Sequence, residues 1–246
     1  MRSDGYSSAI TALSALGPLR VWSLLVTVFG DLAPRQPVDG PTLSTIMDGI
    51  GIKPEATRVA LHRLRADDWI ISDRQGRTSL HRLSDKGRRD SDAARPHIYG
   101  PVPKDRPARF VLLPEGQEPL HPTAMMEVAP RLYACGPETP TPRAMVLETG
   151  CVPHWARTAL EPAPLLEGYT ALHTVLQQVP TTVPNALQRA VLRVLIVHAW
   201  RRLCLRHPVL PRHMHSDDWR GHECRALVHD LLDRLDRPSL DAIKPN

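Results

Sequence analysis

The chain has 246 residues, of which 42% are hydrophobic and 23% charged; this is a globular composition and excludes disorder throughout. Its 25 Pro against 14 Gly exclude one continuous regular fold, and its four Cys form no C-x-x-C pair, as expected of reduced thiols. The net charge is +5, carried by 27 Arg and 4 Lys, which favours an anionic partner only mildly, so the placement of the cations matters more than their number.

Residues 1–17 are small and polar and read as a frayed start. From Pro18, the residues Leu19, Trp22, Leu25, Val26 and Phe29 recur at helical spacing, which predicts an amphipathic helix ended by Gly30. A second helix starts near Pro41-Thr42, carries Leu43, Ile46 and Met47 on one stripe, and stops at Gly49 to Gly51. A third runs from Pro54 to Asp67. The segment WIISDRQGRTSLHRLS then reads as a strand, a turn at Arg74 to Gly76 and a second strand. Three helices followed by a hairpin is the order of a winged helix-turn-helix, expected over residues 18–95. Residues 85–95 suit either a solvated helix or a linker.

Residues 96–165 are Pro-rich, with β-like pieces at Phe110 to Leu113, Arg131 to Ala134 and Ala144 to Leu147; they read as a small central α+β domain. Residues 166–246 read as helical. Residues 171–179 form a short helix, Asn185 caps a long one ending near Arg206, and a last helix spans about His222 to Leu235. The overall class is α+β. The longest apolar run, Val191 to Trp200, contains Arg193 and is too short to cross a bilayer, and no targeting segment is recognisable. The expectation is a soluble, cytoplasmic chain with no membrane partner.

Charge is uneven along the chain. Residues 53–95 carry 11 Lys and Arg against 7 Asp and Glu, and residues 189–212 carry 6 Arg and no acid. On the third helix, Ala60, Leu64, Thr57 and Leu61 share a mostly apolar arc that suits packing. The other side presents Arg58, His62 and Val59, with Arg63 and Arg65 flanking them. Donors for base edges lie at the centre and cations for phosphates at the rim, as a major-groove helix requires. Arg74 and Arg77 lie at the hairpin tip, where a wing meets the DNA backbone.

The segments RVWSLLVTVFGDL, GIKPEATRVALHRLRADDWIISDRQGR and VHAWRRLCLRHPVLPRHMHSDDWRG together resemble the PaaX family of transcriptional repressors. The resemblance covers residues 18–100 and 190–235. It implies an N-terminal winged helix, a central ferredoxin-like dimerisation domain and a C-terminal helical domain. It also implies a homodimer on double-stranded operator DNA, control of a phenylacetate or other aromatic-acid catabolic operon, and release by an acyl-CoA effector such as phenylacetyl-CoA. It places Thr57, Arg58, His62 and Arg63 in the recognition helix, and Arg74 and Arg77 in the wing. Asp68 stands where the family usually has Gly before the wing Trp, and the central ARFVLLP lacks an aromatic-rich strand. With a CoA effector implied, Arg193, Arg201 and Arg202 become candidates for its phosphates and Trp200 for its acyl group. No cofactor and no metal are expected, because the spacing of His213, His215, His222 and Cys224 matches no structural zinc pattern. The alternative is an enzyme processing a CoA thioester through the His and Cys residues of the central and C-terminal regions, Cys151 with His154 among them.

Overall fold

The computed structural model describes residues 3–76, 78–101 and 107–244. It is mixed α+β, with helices at both ends of the chain and two small antiparallel sheets. The chain forms two compact units. One comprises Met1–Pro96, Val175–Trp200 and Leu227–Asn246; the other comprises His97–Thr174 and Arg201–Ala226. Each is therefore assembled from separate stretches, whereas the sequence reads as three consecutive segments.

The first unit begins with helix α1 (Ser3–Ala15), where a frayed start is expected; Ala9 and Leu13 are buried and give this stretch a reason to be helical. Helix α2 (Val21–Thr27) does not stop at Gly30. It continues as a π turn, Val28–Leu32, that leaves Asp31 fully buried. Strand β1 (Val38–Asp39) precedes α3 (Gly40–Gly49), whose N-terminus is capped by Asp39 accepting from the Thr42 amide at 2.7 Å. Gly51 at φ 89 makes the turn into α4 (Pro54–Ala66). Strands β2 (Ile70–Gln75) and β3 (Thr78–Leu83) pair from Ile70 opposite Leu83 to Gln75 opposite Thr78, and β1 adds to β3, giving the order β1-β3-β2. Residues 85–95 are helical, inside α5 (Asp85–Tyr99). Leu24, Phe29, Leu43, Ile46, Met47 and Leu64 are almost completely buried.

The long helix α8 (Ala186–Cys204) is buried continuously from Ala190 to Trp200. Asn185 caps it by accepting from the Gln188 amide at 3.0 Å. A Cβ on Gly49 would come within 2.7 Å of the Val191 side chain, so the glycine at the end of α3 permits this close packing.

The second unit holds strands β4 (Ala108–Leu112), β5 (Met125–Ala129), β6 (Leu132–Cys135) and β7 (Met145–Thr149) in the antiparallel order β5-β6-β4-β7. β5 is not evident in the sequence. A ferredoxin-like unit places a helix in each crossover. Here the β4–β5 connection carries a single 3-10 turn, Pro122–Ala124, and the β6–β7 connection has no α-helix. Pro114, Pro119, Pro122, Pro137, Pro140 and Pro142 break these stretches too often for a helix to propagate. One face of the sheet packs Ala108, Phe110, Val128 and Ala134 against Val152, Ala156 and Leu160 of α6 (His154–Leu160) and its approach; the other face gathers Val111, Leu113, Met125 and Cys135. Helices α7 (Ala163–Leu176) and α9 (Gly221–Arg234) complete the chain. Among the described residues no helix is long and apolar enough to cross a membrane.

Candidate nucleic-acid interface

Helix α4 sorts its side chains as an amphipathic helix must. Pro54 occupies its first turn, where the absent N–H costs nothing. Thr57, Ala60, Leu61 and Leu64 face inward; Arg58, Val59, His62, Arg63, Arg65 and Ala66 face outward. Lys53, just before the helix, adds another exposed cation.

Thr57 requires a correction. It is fully buried, and its hydroxyl donates to the Lys53 carbonyl at 3.4 Å, so this side chain packs inside the unit and has no surface to offer a nucleic acid. Its neighbour Arg58 is exposed, as expected of a base reader, and its guanidinium donates to Glu55 at 2.7 Å. Both partners are about 70% exposed, and pairs of that kind contribute roughly 0–1 kcal/mol, so Arg58 exchanges Glu55 for another acceptor at little cost. Arg63 lies 3.7 Å from Asp67 under the same conditions. Val59 is 70% exposed at the centre of this face, an apolar group among its cations.

The hairpin leaves α4 through a tightly held junction. Asp68 sits at φ 55, the left-handed region that Asp tolerates better than most residues. Ser84 ties the junction to α5: its hydroxyl donates to the Asp68 carbonyl and accepts from the Gly87 amide, while its own amide donates to the Trp69 carbonyl at 3.0 Å. Lys86 donates to the Asp67 carbonyl at 3.1 Å and places its ammonium 5.6 Å from the centre of the Trp69 ring. Gly87 is obligatory here, because a Cβ would lie 2.1 Å from the Trp69 carbonyl oxygen. These contacts set the direction in which β2 and β3 project from α4. The sequence reading did not single out Ser84 and Gly87; the available signal was a Ser directly before an acidic first helical turn.

At the hairpin tip Arg74 is exposed and its Nε donates to the Gly76 carbonyl at 3.3 Å, while Gly76 adopts φ 61. Arg77 lies outside the described residues. Within the hairpin the buried His81 accepts or donates to the Ser72 hydroxyl at 2.7 Å; burial, then the Arg65 charge, lowers its pKa, against the opposing pull of Asp39.

The residues expected to hold an effector separate. Arg193 is buried and forms a two-pronged ion pair with Asp31, Nε to Oδ2 and Nη2 to Oδ1, each at 2.9 Å. Its Nη1 donates to the Leu232 and Leu235 carbonyls at 2.7 and 2.9 Å. Arg193 is an internal cross-link, not a free phosphate ligand, and Trp200, 1% exposed, is a core side chain. Arg201 and Arg202, in the last turn of α8, retain partial exposure.

The thiol chemistry is plain. Cys135, Cys204 and Cys224 are buried, and burial pushes each thiol up, Cys204 to about 12. Such thiols are protonated near neutrality and poor nucleophiles. Cys151 is exposed, and no hydrogen bond joins it to His154 among the described residues. Also among the described residues, no group of three His, Cys, Asp or Glu is arranged to hold a metal.

Comparison with known proteins adds the following. Residues 20–87 match the family described as PaaX-like protein, and residues 163–244 match the PaaX-like protein C-terminal domain; together these spans make up more than half of the chain. The chain is 25% identical to a protein of Escherichia coli (strain K12) named transcriptional repressor PaaX, over 89% of this chain and 81% of that one. Its fold is similar to that of an uncharacterized protein from Mycobacterium tuberculosis, with TM-score 0.52 and 19% identity, over 87% of this chain and 96% of the other.

Proposed function

Because the chain belongs to the family of PaaX-like proteins, we propose that it is a transcriptional repressor that reads duplex DNA with α4 and the hairpin that follows it. In this reading residues 18–95 act as a winged helix-turn-helix. Arg58 and His62 address base edges, Arg63 and Arg65 address phosphates, and Arg74 with Arg77 forms the wing contact. The observation that supports it best is the outward, cationic face of α4, with Val59 among its cations and Leu61 and Leu64 buried behind.

The finer reading is a homodimer on a near-palindromic operator, controlling an aromatic-acid catabolic operon of the phenylacetate type. One α4 per subunit enters successive major grooves. An acyl-CoA such as phenylacetyl-CoA releases the protein by binding the DNA-free form more tightly; a hundredfold preference supplies about 2.7 kcal/mol. The name of the Escherichia coli relative supports repression. The operon and the effector rest on the family resemblance. With Arg193 and Trp200 taken up by the core, Arg201 and Arg202 are the α8 cations proposed to meet effector phosphates.

A gel shift with the DNA upstream of the chain's own gene and its neighbours tests this. Retardation should weaken by orders of magnitude between about 50 and 200 mM salt, because phosphate contacts release counterions. Arg58→Ala should cost about 1–3 kcal/mol against the operator and blunt its preference over unrelated DNA. An unchanged preference in that variant would remove Arg58 from the reading.

A further inference from the structure

The π turn that ends α2 gathers buried polar contacts that no part of the DNA-reading face uses. Its Ala33 amide donates to the Val28 carbonyl, five residues back, at 3.2 Å, in place of the four-residue step of an α-helix. Such turns are rare, and many of them lie at functional sites. Asp31 holds this one. Its side chain has no exposed surface, and both carboxylate oxygens accept from Arg193, each at 2.9 Å, with Arg237 a further 3.6 Å from Oδ1.

The turn is a meeting point within the first unit. Arg193 Nη1 ties it to the end of α9 through the Leu232 and Leu235 carbonyls, and Asp236, the next residue, pairs with Arg189 of α8 at 3.1 Å. Gly30, inside the turn, comes close to α5: a Cβ there would lie 3.2 Å from the Ser91 hydroxyl oxygen. On the reading side, α2 packs against α4. Beyond Leu32 the chain soon enters β1, which sets Val38 opposite His81 of the hairpin and caps α3 through Asp39. Reverting the turn to an α-helix would shift the chain that follows by one residue, about 100° of rotation and about 1.5 Å of rise. The placement of α3, α4 and the hairpin therefore depends on the turn keeping its extra residue.

We propose that Asp31 and Arg193 are positioning residues for DNA recognition. Their buried pair holds the π turn, and the π turn holds α4 and the hairpin in the arrangement that reads bases. Neither residue touches DNA, and the proposal rests on α4 being the reading helix. A pair that served stability alone could be exchanged for apolar side chains without loss of recognition, because such exchanges often match or exceed a buried ion pair in stability.

Gel shifts of the full chain, on the upstream fragment that it retards and on unrelated DNA of equal length, are compared with thermal melts. In Asp31→Leu/Arg193→Met both charges leave together, so neither is stranded. This variant should melt cooperatively, yet its preference for the upstream fragment should fall about fivefold or more, the least that one lost base contact costs. Unrelated DNA should bind as before, since Arg63, Arg65 and Arg74 still reach phosphates. Arg193→Lys keeps a charge opposite Asp31 without the two-pronged fork and should show the same loss in smaller measure. Full preference in either variant that melts cooperatively overturns the proposal, as does equal weakening on both DNAs. Failure of both variants to melt cooperatively reduces the pair to a stability element and overturns it too. No retardation by the parent chain removes the DNA reading itself, and this proposal with it.

Discussion

Adjacent residues on α4 have opposite fates, and the helical period decides which. Thr57 is sealed inside and Arg58 is 70% exposed at its side chain, although a motif-level reading places both against DNA. Periodicity alone puts Thr57 on the apolar arc with Leu61 and Leu64, and the structure agrees with the period. At Arg193 a distant partner, not the helical period, decides the outcome. In a linear view this Arg is one of several cations on α8, free to bind phosphate. In the fold it meets Asp31, more than a hundred and fifty positions away, and two helix-end carbonyls. Replacing one partner of such a buried pair leaves the other charge without its main compensation. Arg193→Ala is therefore expected to destabilise the chain by about 3–5 kcal/mol, whereas Arg58→Ala, at an exposed pair, stays within about 0.5 kcal/mol. Denaturant unfolding of both variants checks the contrast, and comparable losses would contradict it.

Among the elements, α3, α4, β2, β3 and α8 are legible from apolar spacing and end signals, since their own residues carry the reason for their form. α1 and β5 are not. The Ser- and Ala-containing start has little apolar pattern until Ala9 and Leu13 find a core, and the short MMEVA stretch becomes a strand by pairing with β6. The π turn Val28–Leu32 is equally a product of context: Gly30 and Asp31 read as a helix end, but burial of Asp31 against Arg193 draws the chain through another turn. The junction around Asp68, Ser84 and Gly87 fixes how the hairpin leaves α4. At Gly87 helix propensity favours Ala by about 1 kcal/mol, but the added Cβ would sit 2.1 Å from a backbone oxygen that has no free room to move. The clash should win. Gly87→Ala is expected to lower stability by roughly 1–3 kcal/mol and to weaken operator binding even where the chain remains folded. Thermal melts and gel shifts of the variant measure the two effects; a melting temperature at or above that of the parent chain would show that Trp69 yields.

At the level of the whole molecule, a cluster of buried histidines is expected to weaken the fold in acid. In the second unit Trp219 stacks on His215 at 4.3 Å, contacts His207 at 4.7 Å and meets the Tyr169 ring edge-on at 4.6 Å, and His222 lies 5.5 Å from His215. Glu161 holds the group by accepting from the Ser216 amide and hydroxyl and by pairing with His215 Nδ1 at 3.2 Å. Burial, the largest cause, lowers His207 to about 3 and His222 to about 4; the Pro208 and Leu160 carbonyls pull His207 the other way without prevailing. The folded state thus takes up protons less readily than the unfolded chain, whose histidines titrate near 6.5. Stability from these groups is complete above that pH and is lost as pH falls from there toward 4 and 3, by on the order of 1 kcal/mol per pH unit for each group. Urea unfolding between pH 7 and pH 5 should show this decline, and His207→Gln should flatten it; an unchanged slope would mean that His207 is accessible to protons when folded. What the sequence determined by itself is whatever short range dictates: the period of α4, the hairpin behind it, the cap at Asn185, and the segments that mark the family. Tertiary structure alone decided which charges turn inward and how separate stretches of chain close into two units. Those outcomes depend on partners distant along the chain, and burial energy is settled only when such partners meet.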